Sequence, residues 1–245
     1  MPTTQQELDR IAIDYHSADT MQDKHIEDIC QEYTYSWVLK HIGSARSILE
    51  MGYGEGNFTA VLSKLRRRLT VLEGSPVLVE KARLIYGEKV RFECCLFEDY
   101  VPEERFDRIV ATHVLEHVDD PVRLLRGMKR WLKPKGRIIV IVPNSESIHR
   151  RLAVMMKLQP KLDTLGVRDK LVGHQRVYSM AALRRDIRAG GFKPLAQQGF
   201  FLKVLPNSMM LGFSAELIQA LNSISPELPN ELLGNIGIVA GIGRK

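Results

Sequence analysis

Between residues 46 and 142 the chain alternates short β-branched runs with stretches of helical period. Residues 47–51 (Ser-Ile-Leu-Glu-Met) predict a strand, and apolar positions at helical spacing over 58–65 predict a helix. Strands are expected again at 69–72, 90–95 and 106–112. Helices are expected at 76–86, with Pro76 in its first turn, and at 119–132, opened by Asp-Asp-Pro and stopped near Pro134 and Gly136. Residues 137–142 are apolar after Arg137, which predicts a strand buried on both faces. Such alternation argues for a parallel sheet with helices on both sides.

Two helical patterns, 5–14 and 23–42, precede this region. After it come a long segment over 144–177, a helix at 179–189 capped by Ser179 and closed by Gly190 and Gly191, and a strand at 192–205. A helix at 214–223 and a last strand at 236–242 complete the pattern. No repeat and no linker divides the chain. The expected organisation is one domain over 1–245: a helical cap (1–43), an alternating core (44–143), an inserted segment (144–178) and the C-terminal part of the sheet (179–245).

Composition narrows the class. With 245 residues, 44% hydrophobic and 26% charged, the chain is an ordinary globular one. No apolar run approaches the ~20 residues of a membrane span, and the N-terminus lacks a basic start followed by an apolar stretch. A cytoplasmic chain with no membrane partner is expected. Cys30, Cys94 and Cys95 are too few and too badly spaced for a zinc site and are expected to be small buried residues.

The most informative stretch is Glu50-Met51-Gly52-Tyr53-Gly54-Glu55-Gly56. A strand ends in an acid, and a glycine loop opens a helix. Glycine lets the backbone approach a ligand closely. A dinucleotide loop needs glycine at its first, third and sixth positions, but the position after Gly56 is Asn57. Glycines at 52, 54 and 56 suit an adenosyl cofactor with an amino-acid tail better. Glu73, 21 residues after Gly52, ends the second strand, where a carboxylate can accept both ribose hydroxyls. Phe97 can pack on adenine and Glu98 can accept from its amino group.

Together with Val114-Leu115-Glu116-His117-Val118-Asp119-Asp120-Pro121 and the run from Leu132-Lys133-Pro134-Lys135-Gly136 to Val142-Pro143-Asn144, these motifs resemble the class I S-adenosylmethionine-dependent methyltransferases. The branch they look most like contains the ubiquinone-biosynthesis O-methyltransferases. The resemblance is strong over residues 46–144 and weak beyond. It implies a Rossmann-like seven-stranded α/β sheet whose last strand is antiparallel, with N-terminal helices and a lid inserted after the fifth strand. It also implies S-adenosyl-L-methionine as cofactor, leaving S-adenosyl-L-homocysteine. Gly52, Gly54 and Gly56 would cradle the methionine part, beside Tyr53, and Glu50 would attract its ammonium. Glu73 would hold the ribose, Gly74 and Phe97 would bracket adenine, and Glu98 would accept from it. Thr112 and His113 would lie where cofactor and acceptor meet, and the segment carrying Tyr15 and His16 would fold over the cofactor.

Substrate chemistry is expected at the end of the fourth strand. His113 is the first candidate general base, because an imidazole titrates near working pH, with His174 and His149 of the lid in reserve. A pocket-lining role for His113 is weighed equally. His117, Arg176 and Tyr178 are the remaining candidates for contact with the acceptor. The related branch carries Glu-Val-Leu-Glu-His here, and a metal-assisted role has been linked to its acids. His113 replaces the first Glu, so no metal ligand is expected.

Net charge is +6, and most of it falls in 144–177, where seven Arg and Lys face three Asp and Glu. Such a lid suits an anionic or aromatic small-molecule acceptor or is merely solvated. Leu152, Val154, Met155, Met156 and Leu158 are expected to pack a lid helix on the core. A nucleic-acid methyltransferase is the first alternative. It is disfavoured because Thr112-His113-Val114-Leu115 replaces the Asn/Asp-Pro-Pro-aromatic motif and no Pro-Cys occurs. A non-catalytic cofactor-binding protein is the second. The expected function is methyl transfer to oxygen or nitrogen of a small molecule in biosynthesis, by a monomer or homodimer without specific nucleic-acid partners.

Overall fold

The computed structural model describes residues 4–11, 13 and 23–243. Seven strands form one sheet: β1 (Ser47–Met51), β2 (Arg68–Glu73), β3 (Arg91–Cys94), β4 (Phe106–Thr112), β5 (Leu132–Pro143), β6 (Phe192–Phe200) and β7 (Asn235–Ile242). Their order is β3-β2-β1-β4-β5-β7-β6. The first five run parallel, and β7 is antiparallel to both of its neighbours. The order reverses between β1 and β4, which opens a crevice at their carboxyl ends.

Alternation along the strands sorts side chains between two cores. Leu49, Ile109, Ile138 and Val140 meet Leu124 and Met128 of α5 (Pro121–Trp131) and Leu183 of α8 (Met180–Ala189). Ile48, Val110, Ile139 and Ile141 face the other way. They meet Val38 of α2 (Lys24–Ile42), Leu62 of α3 (Asn57–Leu62) and Leu78 of α4 (Pro76–Tyr86). A smaller cluster joins Ile26 and Cys30 of α2 to Phe201, Met210 and Ile218, the last from a helix over Ala215–Ser223. Ser75, Asp120 and Ser179 cap α4, α5 and α8, each accepting a backbone N–H of the first turn. No helix among the described residues is long and apolar enough to cross a membrane.

Four expectations change. The first concerns β5, which begins at Leu132, not at Arg137, because Leu132 pairs with Phe106 and the neighbouring Lys133 ammonium reaches Asp107 and the Ser47 hydroxyl, both at 3.0 Å. Secondly, β6 ends at Phe200, since Phe201 turns into the left-handed region (φ 62°) and leaves the ladder. The third is Cys94, which is exposed at an edge strand, with Cys95 half-buried. The last is the lid, which does not pack its apolar set inward. Its first helix, α6 (Ile148–Met155), buries only Arg150 and Ala153, while Met155 is 79% exposed. The first helix, α1, is described over Gln5–Ile11.

Candidate active site

The loop after β1 is built on left-handed backbone. Gly52, Gly54 and Gly56 take φ of 80°, 55° and 79°, values that side chains rarely tolerate. The Tyr53 ring folds back over Gly56, where an added Cβ would collide with its hydroxyl, and packs edge-on to Phe92. Two buried carboxylates frame the loop. Glu73 accepts from the Tyr53 N–H and the Ser75 N–H, both at 2.8 Å, and so ties the glycine loop to the turn before α4. Glu50 is 3% exposed and accepts from the Thr59 hydroxyl at 2.8 Å. Burial pushes its carboxyl up to about 8; Thr59 opposes that shift and the Glu73 charge adds to it. Gly74, Phe97 and Glu98 form the next wall of the same cavity, and α1 closes over it with Leu8 against Gly74.

At the end of β4, His113 also takes positive φ (56°), while its N–H donates to Ile141 O across the sheet at 2.8 Å. Strain of this kind in a non-glycine residue at a strand end is characteristic of functional sites. Its Nδ1 lies 3.1 Å from Oε1 of the fully buried Glu116. Desolvation pulls the His113 pKa down, but the hydrogen bond and charge of Glu116 outweigh it and leave it raised. For Glu116, burial is likewise overcome by the surrounding histidines, so its carboxyl stays low. Its second oxygen has no hydrogen-bond partner. The His117 and His174 rings meet edge-on, with centroids 4.7 Å apart, and burial pushes His117 down to about 4.

The lid folds around one buried guanidinium. Arg150 donates to Leu162 O, to Thr164 O (2.9 Å) and to Asp169 Oδ2 (2.9 Å) on α7 (Val167–Leu171). Asp169 Oδ1 meets His174 Nδ1 at 2.9 Å. Burial alone would raise the Asp169 pKa. Hydrogen bonds from His174 and the Gly166 N–H, with the Arg150 charge, hold it well below the usual carboxylate range. His149 pairs with the Ser147 hydroxyl at 3.0 Å, and burial with nearby Lys203 and Arg150 pushes it down to about 2, so it is neutral.

One cavity of about 460 Å³ joins these parts. Of the predicted site residues, Glu50, Gly52, Tyr53, Gly54, Gly56, Glu73, Gly74, Phe97, Glu98, Thr112, His113, His117, His149 and His174 line it. Arg176 does not. Its guanidinium donates to the carbonyls of Leu115, Val118 and Asp119, filling acceptors that the tight turn after β4 leaves open. Tyr178 does not either; its ring is 2% exposed and belongs to the core. Tyr15 lies outside the described residues. Sequence reasoning missed Phe201, Lys203 and Asn207, which form the far wall with Ile26 and Cys30 of α2. Nothing local marked them, because they reach the cavity only through the packing of α2 on the end of β6.

No metal ligand was expected, yet ligand atoms of Glu116, His117 and His174 lie within 4.8 Å of one another. A carboxylate oxygen without a partner and two imidazoles form a donor set that suits a borderline divalent ion.

The profile of a methyltransferase-domain family matches residues 21–197. The chain is 31% identical over 113 residues to a ubiquinone biosynthesis O-methyltransferase of Xanthomonas oryzae pv. oryzae, covering 44% of this chain and 47% of that protein. It is 31% identical over 118 residues to the enzyme of the same name from Xylella fastidiosa, covering 46% of each. The chain thus spans about half the length of the curated relatives it matches. Among solved structures it resembles a Burkholderia thailandensis 1,6-didemethyltoxoflavin-N1-methyltransferase with bound S-adenosylhomocysteine. There the TM-score is 0.59 and the identity 19%, over 88% of this chain and 79% of that one. It also resembles the N-methyltransferase NodS of Bradyrhizobium japonicum, with TM-score 0.58 and 16% identity over 98% of each chain. Identities this low speak for the fold alone.

Proposed function

The chain belongs to the class I S-adenosylmethionine-dependent methyltransferases, and from that premise we propose that it transfers a methyl group from S-adenosyl-L-methionine to oxygen or nitrogen of a small molecule. The observation that carries this reading is the left-handed glycine loop framed by two buried acids, Glu50 and Glu73, at the mouth of the β1–β4 crevice. When bound, the cofactor supplies an electrophilic methyl group on a sulfonium.

The chain's own residues do the rest. The Gly52–Gly56 backbone accommodates the methionine tail without a Cβ in the way. Glu50 releases its proton and pairs with the tail's ammonium, which removes the cost of a lone buried charge. Glu73 receives the ribose hydroxyls beside the two backbone N–H groups it already binds. Gly74, Phe97 and Glu98 receive the adenine. His113 faces the reacting centre through Nε2, because Glu116 holds Nδ1. For a hydroxyl acceptor it takes the proton as the new bond forms; for a neutral nitrogen it only aligns the acceptor. Glu116, His117 and His174 would hold a divalent ion if one binds, and it would polarise the acceptor's oxygen. The ubiquinone-type relatives suggest an oxygen acceptor and a biosynthetic role, whereas the name of the Burkholderia protein favours nitrogen.

Calorimetry with S-adenosylhomocysteine and with NAD tests the cofactor; heat from NAD alone would sink the reading. Methyl label is then followed into a panel of small phenols, sugars, acids and heteroaromatics. Label at one discrete position of RNA or DNA at physiological salt would replace the small-molecule acceptor by a nucleic acid.

A further inference from the structure

Two histidine–carboxylate pairs meet at the same cavity, Glu116 of the first and His174 of the second having ligand atoms within 4.8 Å of one another, and only His113–Glu116 has been placed in the proton's path. The other pair, His174–Asp169, belongs to the lid. Asp169 is fully engaged. Oδ1 faces His174 Nδ1 at 2.9 Å, while Oδ2 accepts from Arg150 Nη2 at 2.9 Å and from the Gly166 N–H at 2.8 Å. The backbone repeats the link, since His174 N–H donates to Asp169 O at 2.8 Å. An ionised carboxylate offers no proton, so a neutral His174 must carry its own on Nδ1. Its Nε2 then holds an open lone pair, and the ring lines the cavity beside His117.

We propose that Asp169 is a positioning residue that fixes His174 in the Nδ1–H tautomer, so that the lid presents a hydrogen-bond acceptor at Nε2 and selects methyl acceptors with a hydroxyl or N–H donor at that wall. The selection of methyl acceptors rests on the methyltransferase reading; the tautomer does not. The unbound imidazole has no such constraint, so the carboxylate decides which nitrogen can receive a donor. A fully methylated acceptor would leave Nε2 buried without a partner and be rejected for that reason.

The test uses the chelator-treated full chain with ¹⁵N-labelled histidine, above the imidazole titration range. The expected His174 signature is a protonated Nδ1 and a pyridine-type Nε2. In Asp169→Asn, Arg150 and Gly166 still demand an acceptor at the Oδ2 position, so the amide oxygen stays there and the NH₂ faces Nδ1. The proton must then move to Nε2, in a side chain of unchanged shape. Carbethoxylation by diethylpyrocarbonate, mapped by mass spectrometry, reads whether the lone pair is open. His174 should react in the wild type and about tenfold more slowly in Asp169→Asn, which loses that lone pair. Equal S-adenosylhomocysteine affinity in both proteins shows that the variant is folded. A wild-type His174 protonated on Nε2, or one that resists the reagent, overturns the proposal whether or not the variant folds. Absence of any S-adenosylhomocysteine binding would instead overturn the methyltransferase reading and leave the tautomer result standing.

Discussion

The two walls of the cavity are held by different forces. The wall proposed for the cofactor consists of strand ends and the turns that leave them. Gly52 N–H donates to Leu72 O at 2.8 Å, Glu73 binds two loop N–H groups, and β1 is buried along its whole length. The wall proposed to face the acceptor is the 144–178 segment, whose helices have eight and five residues and turn Met155, Val167 and Leu171 to solvent. Its internal order comes from polar contacts around Arg150 and Asp169 rather than from apolar burial. A wall made of sheet backbone keeps one shape. A wall made of side-chain hydrogen bonds can exchange residues and so change its ligand, which is how one fold serves many acceptors.

Substitutions can break this contrast, beginning with the largest effect. His113 stands where the walls meet. His113→Ala should lower turnover of a hydroxyl acceptor by ~10²–10⁴ and leave cofactor affinity unchanged. Because Glu116 raises the His113 pKa, the acid limb of the wild-type rate should lie above the ordinary imidazole value. Activity is then lost as pH falls through the raised pKa, and Glu116→Gln should move the limb down. A flat profile together with near-normal turnover in His113→Ala would remove His113 as base.

Glu73→Ala acts on the cofactor wall alone. It removes the ribose acceptor and orphans the Tyr53 and Ser75 N–H groups, so calorimetry should show cofactor binding weakened by about 1–3 kcal/mol. Unchanged affinity would take Glu73 out of the site. Arg176→Ala should lower stability by about 1–2 kcal/mol through its unfilled carbonyls. Denaturant unfolding measures this, and the KM of the acceptor should stay put. A raised KM with normal stability would return Arg176 to the substrate.

Glu50 couples binding to pH. Its folded pKa of about 8 is raised above the unfolded value, so its contribution to apo stability is full below the carboxylate range and lost as pH rises through about 8. Pairing with the cofactor's ammonium expels that proton. Affinity should therefore climb with pH, by up to about tenfold per unit, and level off above about 8, and Glu50→Gln should abolish the slope. Calorimetry in buffers of different ionisation enthalpy counts the proton. The smallest effect belongs to the lid's outer face. Met155→Glu should change stability by less than about 0.5 kcal/mol, since the side chain is exposed.

The geometry of the glycine loop and its two acids was legible in the sequence because its signals are local. The glycine spacing at 52, 54 and 56 and the acids at 50 and 73 follow strand ends that hydrophobic runs mark directly. Strand positions came out to within a residue for β1, β2, β3, β4 and β7. The lid was misjudged in just the places where partners are distant. Arg176 and Tyr178 read as pocket residues because they are polar and close in sequence to His174. Only the fold shows the first bound to carbonyls about 60 positions away and the second in the core.

Sequence alone therefore determined the strands, their mostly parallel α/β arrangement and the glycine loop after β1, since each depends on the period of burial and on residues that permit unusual backbone, whereas the strand order and its reversal between β1 and β4 came with the fold. Tertiary structure decided which histidine has which carboxylate. Glu116 lies three residues from His113 and Asp169 five from His174, and neither spacing names a partner. Phe201 reaches the cavity only because its backbone turns left-handed at the end of β6 under α2. Hydrogen-bond partners and cavity walls are set by geometry across elements, and a linear pattern of apolar and polar positions carries no term for that.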